Sequence, residues 1–194
     1  MGTRLRTAAA FCALMALGAG GVSAQAVEVS PIAGVRLGGD LFEVAAGRAL
    51  DVDAAPVVGA TLNVDLGEGL SFEGIYTHQW TKEAGLRLAI DQWLAGGRQE
   101  FGIGRARPFL SGLLGLTRYA SNGDGELRFT LGVGGGLKVA MQRHLGLRLD
   151  SRVSTTFIDA EVRDIACRPG MCLVAGNAAL VWQIEFSGGL IVIF

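Results

Sequence analysis

The stretch 144–157, HLGLRLDSRVSTTF, decides the fold. Read with a period of two, Leu145, Leu147, Leu149, Val153 and Phe157 fall on one side, with the small Ser151 and Thr155 among them. Arg148, Asp150, Arg152 and Ser154 fall on the other. Successive side chains of a strand point to opposite faces, so this segment is a strand with one greasy face and one ionic face.

The same period extends in both directions. Upstream, Phe129, Leu131, Val133, Leu137, Val139 and Met141 alternate with Arg128, Thr130, Gly132, Gly134, Gly136 and Lys138. Downstream, Leu180, Trp182, Ile184, Phe186, Leu190, Val192 and Phe194 share one face, and Gln183, Glu185 and Ser187 share the other. Nearer the start, Val58, Ala60, Leu62, Val64 and Leu66 alternate with Gly59, Thr61, Asn63 and Asp65. The other strands are expected at 30–39 (Ala33, Val35 and Leu37 outward, Arg36 inward), 69–80 (Leu70, Phe72 and Tyr76 outward, Glu73 inward), 86–101 and 107–119. The facing of the last two is ambiguous, around Trp93 in the first of them. Eight strands result, an even number as a closed bacterial membrane barrel requires.

Alternation alone fits two architectures. A soluble lipocalin-like carrier would turn the greasy face inward, whereas a membrane barrel turns it to lipid and the polar face to the lumen. Three features favour the membrane barrel. The polar face is rich in Gly, Ser and Thr, which suits a narrow interior. Its charges, Arg36, Glu73, Arg148, Asp150, Arg152 and Glu185, have both signs and can pair there. The chain also stops on a large apolar residue, Phe194.

Composition agrees. The 194 residues are 50% hydrophobic, only 18% charged, and include 30 Gly; so much Gly argues against a helical bundle. After the N-terminal segment, no apolar run reaches the roughly 20 residues that a spanning helix needs. That segment reads as a cleaved signal peptide, 1–26: Arg4 and Arg6 precede a small, apolar run, and SAQA supplies a cleavage pattern after Ala26 or Ala24. The remaining chain, 27–194, is expected to be one barrel domain. Removing the signal takes two of the 17 basic residues against 18 acidic ones. No basic patch points to nucleic acid.

Link lengths alternate. Tight links occur at LGEG, GIGRAR and QRH, and longer ones around 39–55, 81–85, 121–126 and 159–178. Short periplasmic turns and longer outer loops are the membrane-barrel pattern, and they place both ends of the mature chain in the periplasm. Cys167 and Cys172 then fall in the last outer loop. In an oxidising compartment they read as a disulfide; a metal site is the alternative and would need further ligands. GVGGGLK lacks the spacing and the Ser/Thr of a phosphate loop, and reads as small residues packing an interior. No cofactor is indicated.

The segments GLSFEGIY and RPFLSGLLGLTRY after tight turns, and a last strand ending Leu190-Ile191-Val192-Ile193-Phe194, resemble the small eight-stranded outer-membrane barrels of the OmpA/OmpX-like family. The resemblance implies an all-β, antiparallel, up-and-down transmembrane barrel in the bacterial outer membrane. It implies contact with outer-membrane lipid and lipopolysaccharide, and a monomeric state. It further implies that Leu190, Val192 and Phe194 belong to the signal read by the barrel-assembly machinery.

An eight-stranded barrel has an interior just filled by side chains, so the inward charges are expected to form a structural plug. The expected role is envelope integrity or surface contact without catalysis. A narrow solute channel and a lipid A-modifying enzyme are the alternatives. Such enzymes use His with Ser and an acidic residue, but His78 is followed by Gln79 and Trp80, and His144 lies in a periplasmic turn. His78, Tyr76 and Trp80 read as part of an interfacial aromatic belt.

Overall fold

The computed structural model describes residues 26–38, 40–43, 48–51, 54–83, 86–121, 124–157, 164–168, 171–175 and 180–194. The expected signal peptide, apart from Ala26, lies outside the described residues. Eight long strands are joined edge to edge: β1 (Val27–Leu37), β4 (Ala55–Gly67), β5 (Leu70–Glu83), β6 (Leu86–Glu100), β7 (Ala106–Ser121), β8 (Asp124–Ala140), β9 (Leu145–Phe157) and β12 (Leu180–Ile193). Each pairs antiparallel with its neighbours, and β1 pairs with both β4 and β12, closing the barrel. Closure leaves no unpaired edge, as a sheet surrounded by hydrocarbon requires.

The facing follows the period of two. In β9, Leu149 is 63% exposed while its neighbours Arg148 and Asp150 are 1% and 9% exposed. Leu147, Val153 and Phe157 are exposed alongside Leu149, and Arg152 is buried. The greasy face therefore looks out and the ionic face looks in, which excludes the soluble-carrier arrangement. The two ambiguous segments are resolved as well. Trp93 points out while Gln92, Leu94 and Arg98 are buried. In β7, Leu110, Leu114 and Leu116 point out, and Phe109, Ser111, Leu113, Thr117 and Tyr119 are buried. Their alternation is faint because the lumen is locally aliphatic: Ile75, Leu94 and Leu113 form a buried cluster, so both faces of these strands carry apolar residues.

The periplasmic turns are built from residues suited to them. At the β4–β5 turn, Gly67 and Gly69 have φ of 93° and 77°, and Glu68 between them has φ of 56°. Glycine adopts this region without a Cβ penalty, and Asp65 Oδ1 accepts a bond from Gly67 N at 2.8 Å. The chain end is tied down nearby: Phe194 N donates to Val27 O at 2.9 Å, and Ile193 N to His144 O at 3.0 Å.

Two departures from the sequence reading stand out. The first strand begins at Val27 rather than at residue 30. The two longest outer links also contain short strands, β2 (Asp40–Glu43), β3 (Arg48–Asp51), β10 (Asp164–Arg168) and β11 (Met171–Ala175). These form a separate four-stranded sheet, ordered β10-β11-β2-β3, in which β11 pairs with β2. Pairing between links so far apart in sequence depends on barrel closure bringing β1 beside β12, which no local pattern reveals.

Candidate functional site

The lumen holds an ionic column that rises in layers from the periplasmic end outward. Arg98 NH2 lies 3.2 Å from Glu28 Oε2 and 2.6 Å from Glu100 Oε1. Lys138 Nζ pairs with Glu28 and lies 3.3 Å from Glu100 Oε1. Arg107 joins through Glu100 Oε2 at 3.1 Å. A cavity of about 200 Å³ opens here, lined by Glu28, Asn63, Ser71, Arg98, Glu100 and Lys138 among others.

In the next layer, Arg148 donates to Glu73 Oε1 at 2.9 Å, to both oxygens of Asp150 at 2.5 and 2.7 Å, and to Thr61 Oγ1 at 2.7 Å. The ring of Phe109 stands 5.2 Å from the Arg98 guanidinium and 5.3 Å from that of Arg148. Such contacts add cation–π attraction between layers. Gly136 makes room for that ring, since a Cβ there would meet Phe109 Cζ at 2.6 Å.

Above this, Glu185 bridges two arginines: Arg36 NH2 at 2.5 Å and Arg152 NH1 at 3.0 Å. Arg36 also donates to Thr77 Oγ1 at 2.5 Å. Gln92 donates to Thr117 at 3.2 Å, and a hydroxyl chain runs from Thr117 to Thr130 at 2.7 Å and on to Thr156 at 3.0 Å.

The six charges expected in the lumen, Arg36, Glu73, Arg148, Asp150, Arg152 and Glu185, thus lie in the upper two layers. The periplasmic layer of Glu28, Arg98, Glu100 and Lys138 was not assigned from sequence, although Lys138 lay on the inward side of its strand. Glu28 precedes the expected start of β1. Arg98 follows Gly96 and Gly97, which carry no facing signal. Among the described residues, the five buried cations Arg36, Arg98, Lys138, Arg148 and Arg152 match five anions, Glu28, Glu73, Glu100, Asp150 and Glu185. Removing one partner of a buried pair leaves an uncompensated charge, which is the costly event.

Outside the barrel, Tyr76 and Trp80 are exposed. His78 lies between them, its ring edge-on to Trp80 at 4.2 Å between centroids. His78 Nδ1 is 2.5 Å from Asp91 Oδ1, and Tyr76 OH donates to the same oxygen at 2.9 Å. The carboxylate was missed because nothing local to either strand reveals that Asp91 stands opposite His78.

Leu190 and Phe194 are exposed at the periplasmic end of the barrel, and Val192 is partly buried. The register places Cys167 opposite Cys172 in the β10–β11 hairpin. Opposed antiparallel residues have Cα atoms about 4.5–5.5 Å apart, within disulfide range. Their side chains lie outside the described residues.

The model of the outer membrane protein beta-barrel domain family matches residues 12–180. Among solved structures, Neisserial surface protein A (NspA) is similar, with a TM-score of 0.61 and 17% identity over 90% of this chain and 99% of that one. OprG from Pseudomonas aeruginosa is similar with a TM-score of 0.50 and 11% identity, over 90% of this chain and 98% of that one. At these identities the likeness is one of fold. No curated protein matches the chain.

Proposed function

This chain belongs to the outer membrane protein β-barrel domain family and resides in the bacterial outer membrane, and we propose that its work there is structural. On this reading it is a plugged, monomeric barrel that contributes to envelope integrity and holds the β10-β11-β2-β3 sheet at the cell surface for contact. The observation that carries the reading is the ionic column. Buried pairs such as Arg98–Glu28 and Arg148–Glu73 cross the lumen between strands that are not adjacent in the barrel. A solute would have to break several of them to pass.

The barrel's partners are outer-membrane lipid and lipopolysaccharide along its sides and the barrel-assembly machinery at its last strand. Leu190, Val192 and Phe194 serve as the recognition end of that strand. Cys167 and Cys172 form a disulfide that stiffens the outer hairpin. The protein performs no catalysis: His78 pairs with a carboxylate, and the hydroxyl in its group, that of Tyr76, donates to that carboxylate as well.

The test is single-channel recording from purified protein in planar bilayers. A flat baseline is expected, and discrete conductance steps would overturn the plugged-barrel reading in favour of a narrow channel. Expression should also leave the lipid A mass spectrum unchanged; a new lipid A species abolished by His78→Ala would establish an enzyme instead.

A further inference from the structure

On the outward face, the register of three adjacent strands lines up His78, Asp91 and Arg118 as one cross-strand row. Asp91 is the centre of the row. Its Oδ1 accepts from Tyr76 and faces His78 Nδ1, while its Oδ2 lies 3.9 Å from Arg118 NH1. That last distance is a loose pairing for an arginine, whose side chain is 41% exposed.

The rows on either side define the site. Towards the membrane lies an apolar row, Tyr76, Trp93, Leu116 and Phe129, also joined in register. Tyr76 and Trp93 pack with ring centroids 5.6 Å apart. Aromatic girdles of this kind mark the membrane interface. Towards the outside lies Trp80, followed in register by Ala89, Ala120 and Gly125. Trp80 is a wall, and the three small residues are an open shelf beside it.

The Arg118 guanidinium lies across this shelf. A Cβ on Gly125 would meet Arg118 Nε at 2.5 Å and NH2 at 2.9 Å. The missing side chain at Gly125 therefore gives the guanidinium its place, over β8 rather than tight against Asp91.

Charges on the lipid-facing surface become tolerable only as the headgroup level is approached. A row of ionisable groups just beyond an aromatic girdle meets headgroups. We propose that the His78–Asp91–Arg118 row, walled by Trp80, binds the phosphorylated sugar headgroup of an outer-leaflet glycolipid. The proposal rests on the outward face meeting lipid. Arg118 supplies the planar donor fork suited to phosphate. Asp91, with its charge partly met by Tyr76, His78 and Arg118, retains acceptor capacity for a sugar hydroxyl. The exposed indole of Trp80 offers a flat apolar surface to the sugar's C–H face. A phospholipid headgroup with phosphate alone would use the arginine and leave the carboxylate and the indole unmatched.

Native mass spectrometry of the detergent-purified barrel tests this by titration with lipid A, dephosphorylated lipid A, phosphatidylglycerol and inorganic phosphate. One lipid A molecule should be retained in preference to the other three. Arg118→Gln should weaken retention at least tenfold, the scale of one charge-assisted hydrogen bond. Gly125→Val, which displaces the guanidinium, should act in the same direction, and Arg105→Gln in a periplasmic turn should not. Equal retention of dephosphorylated lipid A or of phosphatidylglycerol by the unmutated protein would overturn the proposal. So would unchanged retention by a heat-modifiable, hence folded, Arg118→Gln variant. Conductance steps from a barrel that still selects lipid A would sink the plugged-lumen reading and leave this site standing.

Discussion

At the scale of single residues, position relative to the barrel wall outweighs chemical type. Glu185 is 3% exposed and carries two arginines. Truncating it to Ala strands both, at a cost of about 3–5 kcal/mol. Urea unfolding in detergent should show this as a lowered midpoint. Arg36→Met combined with Glu185→Met should cost less than the two single changes added together, because the stranded charge goes with its partner. On the other face, Leu149→Arg puts a charge into hydrocarbon and should cost about 2–4 kcal/mol if it sits near midplane. Leu149→Ser should cost less in the same unfolding assay.

The residues that were legible were those with strong neighbours. Arg148 is set between Leu147 and Leu149, and alternation with greasy residues reveals its face at once. Arg98 has Gly97 and Gln99 beside it, so its inward position followed only from strand register with Ser71 and Ser111. Asp91 was illegible for a related reason. It follows the buried Ile90 and precedes the buried Gln92, so an apolar and a polar residue share the lumen side there.

At the scale of elements, turns and ends control how the strands meet. Glu68 is the one non-glycine with positive φ among the described residues. Glu68→Gly should therefore stabilise the barrel by about 0.5–1 kcal/mol, by relieving the Cβ penalty of the left-handed region. A raised urea midpoint would show it; an unchanged or lowered one would mean the turn carries no such strain.

The last strand has a different role. Phe194 caps β12 while its backbone N–H holds Val27 on β1, at the seam that closes the barrel. Deleting Phe194 should slow assembly in cells, seen as accumulation of the heat-unmodified, unfolded form on unboiled gels. A similar yield of folded barrel would argue against a recognition role for this end. The short outer strands belong to the same scale. Their segments are brief and only partly apolar, so sequence treated them as loops; the closed barrel brings β2 and β11 close enough to pair.

For the whole molecule, two features of the chain determined a great deal without coordinates. The period of two, sustained over strand after strand with most ions on one side, set which side chains share a face. With a Gly-, Ser- and Thr-rich polar face whose charges can pair, it favoured a closed sheet with its greasy side to lipid, where a repeated charge is too costly. The rhythm of short and long links required an up-and-down order with the chain ends on one side. Both are local properties, carried by residues within a few positions of each other. What tertiary structure decided was everything that depends on which strands stand side by side and at what stagger. It sorted five cations with five anions into layers, gave the aliphatic residues of β6 and β7 a place in the lumen, and joined two distant loops into a sheet. It also set a histidine, an aspartate and an arginine from three strands in one outward row. Shifting a strand by two residues would leave every side chain facing as before and change each of those partners, so alternation fixes the face while closure and register select the neighbour.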